Sequence, residues 1–369
     1  MLVTLAVHQS LAPGMQQEFA LCFSGRLSAE LAQAGAAPLV LGSVRASRPW
    51  TVARARRTLA ASLRERRPDV AICHGAWSAA VFGPALRRER IPFILFVHDP
   101  AEGRHWIERW ARLNPPDALI ANSRYTASTT PRLFPKLQPS VYYCPVPPRT
   151  PEAGERAQVR AELGITANQV VILQAARMQA WKGQREHLLS LAKLRELPEW
   201  VAVLAGGPQR PSEVEYFKDL QRLAIELRIQ TRVKFLGQRQ DVPRLLSAAD
   251  VYFQPNAAPE PFGISFIEAM LAGLPVVTFR RGGPAEFVTS DVGFAVAPDG
   301  DFVAPLTRLV QSPALRAQLG DRAKGHAQGL CDPRGQLPAL AQLLEQALRR
   351  LRSSTGEERS ASANRSMDA

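Results

Sequence analysis

Short apolar runs alternate with amphipathic segments along almost the whole chain, and this rhythm limits the fold more than any other feature. Runs of this length are typical of buried parallel strands, and the segments between them have the length and apolar spacing of helices. The alternation predicts an α/β fold with parallel, doubly wound sheets. The predicted strands lie at residues 2–7, 38–41, 70–73, 93–97, 118–121, 170–175, 201–205, 233–236, 251–254 and 275–278.

A proline-rich stretch divides the strands into two sets. Residues 144–155 read CPVPPRTPEAGE, which continues neither a helix nor a strand and suits a linker. A chain of 369 residues also exceeds the usual size of one core. We therefore predict two Rossmann-like domains, 1–148 and 149–335, facing a cleft. A C-terminal helix at 336–352 is expected to pack back toward the first domain, and the polar tail 353–369 to be disordered.

Charge and composition restrict the function classes. The net charge is +13, and residues 1–150 carry 19 of the 46 Lys and Arg but only 9 of the 33 Asp and Glu. The first half therefore suits an anionic partner. No apolar run approaches the roughly 18 residues of a membrane span, and the start resembles a strand more than a signal peptide. The four cysteines form no CxxC pair, which favours a reducing, cytoplasmic location.

The most informative segment is NAAPEPFGISFIEAMLAGLPVVTFRRGGPAE, residues 256–286. A loop follows the predicted strand 251–254, and a helix is expected to begin at Ile264. Gly263 would let the backbone approach a ligand closely, and the free N–H groups at the helix start favour a phosphate. Glu260 and Glu268, eight residues apart, can accept hydrogen bonds from hydroxyls at opposite ends of an extended ligand.

A second segment, QAARMQAWKGQREHLL at 174–189, supplies cations after a strand. Arg177 and Lys182 lie in the loop before the next predicted helix. A diphosphate carries about two negative charges, and a guanidinium with an ammonium can neutralise them without a metal ion. These two residues are therefore candidate diphosphate ligands.

Other candidates come from strand ends. FVHDP at 96–100 places His98 at the end of a strand, and HGAW at 74–77 does the same for His74 and Trp77. Gly14 lies in HQSLAPGMQQE, which is expected to be the first strand-to-helix loop. Gly237 ends the predicted strand 233–236.

Together these motifs resemble the retaining nucleotide-sugar glycosyltransferases of the GT-B group, family 4. The resemblance covers roughly residues 1–350 and is strongest over 170–300. It implies that Glu260 contacts the transferred sugar, Glu268 contacts the ribose, and Arg177 and Lys182 hold the diphosphate. His98 would lie beside the sugar.

The resemblance also assigns backbone contacts. Gly14, Phe262, Gly263 and Ile264 would approach the donor, and the segment ending at Gly237 would hold the base. The sequence departs from the family in two places. The usual glycine pair of the first loop is reduced to Pro13–Gly14, and Asn256 stands where the family more often has Ser, so Asn256 is assigned no role.

The implied activity is transfer of a hexosyl unit from a nucleotide diphosphate sugar to a hydroxyl of a glycan, a lipid-linked acceptor or a small molecule. Neither a metal ion nor another cofactor is expected. The sequence DGD at 299–301 resembles a metal-binding DxD, but its position before a helix makes Asp301 a better candidate for a helix cap.

Alternatives stay open at this stage. An epimerase or a phosphorylase acting on sugars shares this architecture, as does a catalytically silent relative that binds membranes or glycans. A dehydrogenase is disfavoured because no GxGxxG follows the first strand. Nucleic acid is not an expected partner, since the basic segment has few interleaved aromatic residues.

The basic segment 45–69 contains eight arginines and suggests an anionic membrane surface as a further partner. Its residues 52–63 have helical apolar spacing, so a helix packed on the sheet with solvated arginines is the competing interpretation. The membrane hypothesis predicts a cytoplasmic protein held peripherally on the inner face of the membrane.

Overall fold

The computed structural model describes residues 1–197 and 199–367, with side chains of the last helix described as far as Ser353. The chain forms two compact units. Unit 1 comprises Met1–Pro145 with the C-terminal segment from Pro333, and unit 2 comprises Val146–Asp332. The predicted boundary at 148 lies within three residues of the division after Pro145.

Unit 1 contains two parallel sheets. One has two strands in the order β1-β2, and the other has four strands in the order β3-β4-β5-β6. The strand β4 is buried along its whole length, and Phe93, Leu95 and Val97 pack with helix residues such as Ala79 and Leu86 in one hydrophobic cluster. The strands are β1 Ala20–Leu21, β2 Leu39–Val40, β3 Ala71–His74, β4 Phe93–Val97, β5 Ala118–Ala121 and β6 Pro139–Val141. The helices are α1 Leu2–Val7, α2 Arg26–Gln33, α3 Pro49–Glu65, α4 Gly75–Arg88, α5 Trp106–Ala111 and α6 Arg124–Thr129.

Unit 2 contains a six-stranded parallel sheet in the order β12-β11-β10-β7-β8-β9. The strand order reverses between β7 and β10, which is the point where ligands bind in doubly wound sheets. The strands are β7 Val170–Ala175, β8 Trp200–Ala205, β9 Val233–Gly237, β10 Val251–Phe253, β11 Val276–Phe279 and β12 Gly293–Val296. The helices are α7 Glu155–Glu162, α8 Gln184–Ala192, α9 Pro211–Glu226, α10 Val242–Ala248, α11 Ile264–Leu271, α12 Val303–Gln311 and α13 Pro313–Cys331. At the start of α12, the Asp301 carboxylate accepts the N–H of Val303 at 2.6 Å, but the N-cap residue is Phe302 and not Asp301 as the sequence suggested.

The last helix, α14, spans Pro333–Met367 and belongs to unit 1. It contacts α1 and the residues Gln9–Leu11, and the Tyr142 hydroxyl donates to the Gln336 carbonyl at 3.1 Å. The tail was expected to be disordered after residue 352, whereas the helix extends to Met367. The last two residues lie outside the described part of the chain.

The prediction of a strand at residues 2–7 is wrong, because Leu2–Val7 forms α1. A short apolar run fits either a buried strand or one face of a helix. Only Leu5 and Ala6 are buried, and Val7 is 56% exposed, which is the one-sided burial of a helix. The parallel neighbour of β2 is instead Ala20–Leu21.

No helix in the described ranges is both long enough and apolar enough to cross a bilayer.

Candidate functional site

The loops after β7 and β10 lie against each other at the point where the strand order of unit 2 reverses. The Ala257 N–H donates to the Trp181 carbonyl at 2.9 Å. Gly183 has a φ of +75°, and a Cβ there would lie 1.8 Å from the Pro255 carbonyl oxygen. Only a glycine permits this close approach. Gly183 therefore lets the loop that carries Lys182 lie against the loop that carries Glu260.

Lys182 and Glu260 form an ion pair where these two loops meet. Lys182 Nζ lies 2.5 Å from Glu260 Oε2, and the two side chains are only 12% and 11% exposed. The ammonium also lies 4.0 Å from the centre of the Trp181 ring. Burial lowers the pKa of Lys182, although the neighbouring Glu260 carboxylate acts in the opposite direction. A strongly desolvated ammonium of this kind interacts strongly with any anion that enters.

The backbone of Glu260 is fixed by the glycines of the RRGGPAE segment. The Gly283 N–H donates to the Glu260 carbonyl at 2.8 Å. Gly282 has a φ of +64°, and a Cβ there would lie 2.3 Å from the same oxygen. The glycine pair at 282–283 therefore shapes the Glu260 loop.

The helix α11 begins at Ile264 as predicted. Gly263 caps it with a φ of +94°, and Ile264 is 42% exposed at the first turn. Phe262 is buried and packs edge-on against Phe287 with ring centres 5.9 Å apart, so it anchors the loop. The half-buried Glu268 carboxylate makes no hydrogen bond to the described residues, and burial raises its pKa. Its carboxylate is open to a ligand hydroxyl.

Arg177 and Gly237 lie at the same carboxyl edge of the sheet. Arg177 is exposed, and its guanidinium has no ion-pair partner in the part of the chain that the structure describes. Burial is the main cause that lowers the pKa of Lys182, and the charge of Arg177 acts in the same direction. Gly237 ends β9 with a φ of +65°, and its carbonyl accepts the Gly206 N–H at 2.8 Å.

His98 lies at the end of β4 in unit 1, as predicted, and is paired with His74 at the end of β3. His74 Nδ1 and His98 Nε2 are 2.9 Å apart, so one ring donates to the other. Burial lowers the pKa of His98 to about 4 and, together with the charge of His98, that of His74 to about 3. Both rings are therefore neutral near pH 7. A cavity of about 380 Å³ is lined by His74, Trp77, His98 and Asp99, among others.

Gly14 does not occupy a strand-to-helix loop, so that expectation is wrong. It is exposed and precedes β1, because the first strand is the two-residue segment Ala20–Leu21 rather than 2–7. The loop between β1 and α2 contains Ser24 and Gly25 instead. The sequence pattern that could have identified this loop is the short apolar run around Leu21, which is followed by Ser-Gly.

Sequence reasoning also missed Tyr252, Gln254 and Asn256. Asn256 was assigned no role, yet its Nδ2 donates to Glu260 Oε2 at 2.9 Å and the residue is 3% exposed. The sequence pattern that could have identified them is a set of polar side chains at every second position where the buried strand β10 ends.

Among the described residues, no three His, Cys, Asp or Glu side chains come together as ligands for a metal ion.

Two family models match the chain. The model for Glycosyl transferases group 1 matches residues 155–326, and the model for Glycosyltransferase Family 4 matches residues 18–149.

Individual relatives agree with these models. A D-inositol 3-phosphate glycosyltransferase of Saccharomonospora viridis is 36% identical over 185 residues, which is 47% of this chain and 42% of the relative. The α-1,3/1,6-mannosyltransferase ALG2 of Mus musculus is 29% identical over 68% of this chain and 67% of its own length. The match with the Saccharomonospora viridis protein therefore spans less than half of that protein's length. The crystal structure of Anabaena Alr3699/HepE in complex with UDP superposes with a TM-score of 0.78 at 25% identity, covering 93% of this chain and 96% of that one.

Proposed function

Because this chain belongs to the glycosyltransferases of group 1 and family 4, we propose that it transfers a hexosyl unit from a nucleotide diphosphate sugar to an acceptor hydroxyl. The family assignment and the GT-B fold class with two Rossmann-like domains, both predicted from the sequence, are confirmed. The donor, the acceptor and the stereochemistry are parts of the proposal.

The observation that carries the proposal is the position of Lys182 and Glu260 at the reversal point of the unit 2 sheet. Lys182 and the exposed Arg177 supply positive charge for a diphosphate, as does the start of α11. Glu260 and Glu268 can accept hydrogen bonds from the sugar and the ribose. The diphosphate gains negative charge as the sugar leaves, and preorganised cations stabilise that charge.

The proposed transfer is retaining. A donor phosphate oxygen would accept the proton of the acceptor hydroxyl. The acceptor oxygen would then form its bond to the anomeric carbon on the same face from which the bond between that carbon and the diphosphate oxygen breaks. His98 is the proposed neighbour of the transferred sugar, as the family resemblance implies. Because its ring is neutral near pH 7, it would act as a hydrogen-bonding group and not as a fixed charge.

We expect transfer to proceed without a divalent metal, since Arg177 and Lys182 can offset the diphosphate charge. The measurement is product formation from UDP-glucose or GDP-mannose with a glycan acceptor panel, in EDTA and with added Mg²⁺ or Mn²⁺. Equal rates would support the proposal. Activity lost in EDTA and restored by metal would contradict it. Sugar conversion without an acceptor would indicate an epimerase, and dependence on inorganic phosphate a phosphorylase.

An anionic acceptor or acceptor surface fits the charge of unit 1. The name of the Saccharomonospora viridis relative includes a phosphorylated inositol, which is one example of an anionic acceptor. The helix α3 carries exposed Arg54 and Arg57, and Trp50 at its start is 68% exposed. These three side chains support peripheral binding to an anionic bilayer, because basic residues are attracted to the surface and an aromatic ring suits its interface.

Not every arginine of this segment is available to a membrane. The Arg56 guanidinium donates to the Val81 carbonyl at 2.6 Å, and Arg64 forms a 2.5 Å ion pair with Glu89. Fewer arginines are therefore available to a membrane than the sequence suggested, because Arg56 and Arg64 already bind other groups of unit 1.

Vesicle sedimentation tests the membrane proposal. We expect the protein to bind phosphatidylglycerol vesicles but not phosphatidylcholine vesicles, and to dissociate at high salt. Each exposed arginine near the surface contributes about 1 kcal/mol, so Arg54→Gln with Arg57→Gln is expected to weaken binding about tenfold or more. Arg64→Gln is the matched control, since its charge is paired. Equal absence of binding to both vesicle types would refute the proposal.

A further inference from the structure

A row of buried, hydrogen-bonded side chains leads from the core of unit 2 to the Glu260 carboxylate. The Tyr252 hydroxyl donates to Gln254 Oε1 at 2.6 Å, and Gln254 Nε2 donates to Asn256 Oδ1 at 2.8 Å. Asn256 Nδ2 donates in turn to Glu260 Oε2 at 2.9 Å. Tyr252 and Gln254 are 0% exposed. We call Tyr252, Gln254 and Asn256 the amide row.

The amide row has one orientation in which every polar group is satisfied. Glu260 Oε2 accepts from both Lys182 and Asn256, so Asn256 must present its amide nitrogen there. Its oxygen then faces Gln254, which must present its own nitrogen and turn its oxygen to the Tyr252 hydroxyl. Turning one amide around would set two acceptors or two donors against each other in a buried site, which is costly.

Glu260 Oε2 therefore has two partners that differ in their availability. Lys182 is the partner that a donor diphosphate would attract, because its ammonium is desolvated and the incoming charge is larger. Asn256 carries no charge and is buried behind the loop, so nothing in the donor competes for it. If Lys182 turns to a diphosphate, Asn256 is the bond that still fixes the Glu260 carboxylate.

We propose that the amide row is a positioning device that keeps Glu260 directed at the transferred sugar while Lys182 changes partner to the donor diphosphate. This inference rests on the proposed function. Tyr252, Gln254 and Asn256 act through Glu260 as positioning residues and contact neither the sugar nor the diphosphate.

The test compares the affinity for a nucleotide sugar with that for the matching nucleoside diphosphate by titration calorimetry. The probes are UDP-glucose against UDP and GDP-mannose against GDP. A hydrogen bond to a charged group justifies an expected loss of about tenfold in nucleotide-sugar affinity for Asn256→Ala. The diphosphate affinity is expected to stay within about twofold, because Lys182 is unchanged. The ratio of nucleotide-sugar affinity to nucleoside diphosphate affinity should therefore fall in Asn256→Ala. It should also fall in Tyr252→Phe, but by a smaller factor.

Thr278→Val is the matched control. The Thr278 hydroxyl donates to the backbone carbonyl of Gln254 at 2.8 Å and is similarly buried, but it forms no hydrogen bond with either amide side chain. This variant should lower the unfolding midpoint and leave the affinity ratio unchanged. A ratio that shifts as much in Thr278→Val as in Asn256→Ala would mean general loosening and overturn the proposal.

Failure of the amide row and failure of the proposed function are distinguishable. A wild-type protein that binds nucleotide sugars, together with an unchanged ratio in Asn256→Ala, would overturn the amide row alone. A wild-type protein that binds none of the four nucleotides would overturn the proposed function and this inference with it.

Discussion

Replacing Lys182 or Glu260 by alanine is expected to lower the rate of sugar transfer about 10²–10³-fold, because each removes a preorganised charge from the site where the diphosphate and the sugar are expected to bind. The two side chains lie 2.5 Å apart and are nearly buried, so each single variant also leaves its partner without a counter-ion. The rate constant of transfer and the urea unfolding midpoint should therefore be measured together.

The double variant Lys182→Ala with Glu260→Ala separates function from stability. It leaves no unpaired charge, so it should recover part of the stability lost in either single variant, while transfer stays lost. The exposed pair Arg322 and Asp291, 3.1 Å apart, is the control, and its alanine variants should transfer at the wild-type rate. Near-normal turnover in Lys182→Ala or Glu260→Ala would refute the site assignment.

Gly183→Ala is expected to be among the most damaging single substitutions in unit 2. Its φ of +75° strains any side chain, and the added Cβ would lie 1.8 Å from the Pro255 carbonyl oxygen. Left-handed strain of about 1–2 kcal/mol and overpacking of about 1–3 kcal/mol predict a total loss of roughly 2–5 kcal/mol in the free energy of unfolding. The loop carrying Lys182 would also be displaced from the Glu260 loop, so transfer should fall sharply.

Gly164→Ala isolates the contribution of backbone strain. Gly164 has a similar φ of +59°, but nothing lies within 4 Å of the position of its added Cβ. Urea denaturation should show a loss of about 1–2 kcal/mol for Gly164→Ala and a clearly larger one for Gly183→Ala. Equal losses would show that the two loops separate readily, and that their contact does not hold the site together.

Prediction from sequence was most accurate where strands are buried on both faces. The predicted strands at 93–97, 118–121 and 170–175 coincide with β4, β5 and β7. A continuous apolar run bounded by glycine or polar residues is typical of a strand in a parallel sheet that is buried on both faces, so its position is easily predicted. The start of α11 at Ile264 was equally well defined, because Gly263 can adopt a conformation that other residues avoid.

The first thirty residues were the least predictable. A six-residue apolar run at 2–7 and a two-residue strand at 20–21 carry too little periodicity to be told apart. The error at α1 moved the expected phosphate loop to Gly14, whereas the loop after β1 contains Ser24 and Gly25. Only the pairing of Ala20–Leu21 with Leu39–Val40 reveals which segment is the strand.

The sequence by itself determined the alternation of strands and helices, the division near residue 148, and the residue types of the site. Those features are local, since apolar period, glycine, proline and charge can be read without knowing what lies nearby in space. Only the tertiary structure decided that Lys182 meets Glu260 across 78 positions of sequence, and that Asn256 belongs to the same hydrogen-bonded group. Contacts of this kind depend on which strands become neighbours and on how closely Gly183 lets two loops approach. No local pattern encodes either.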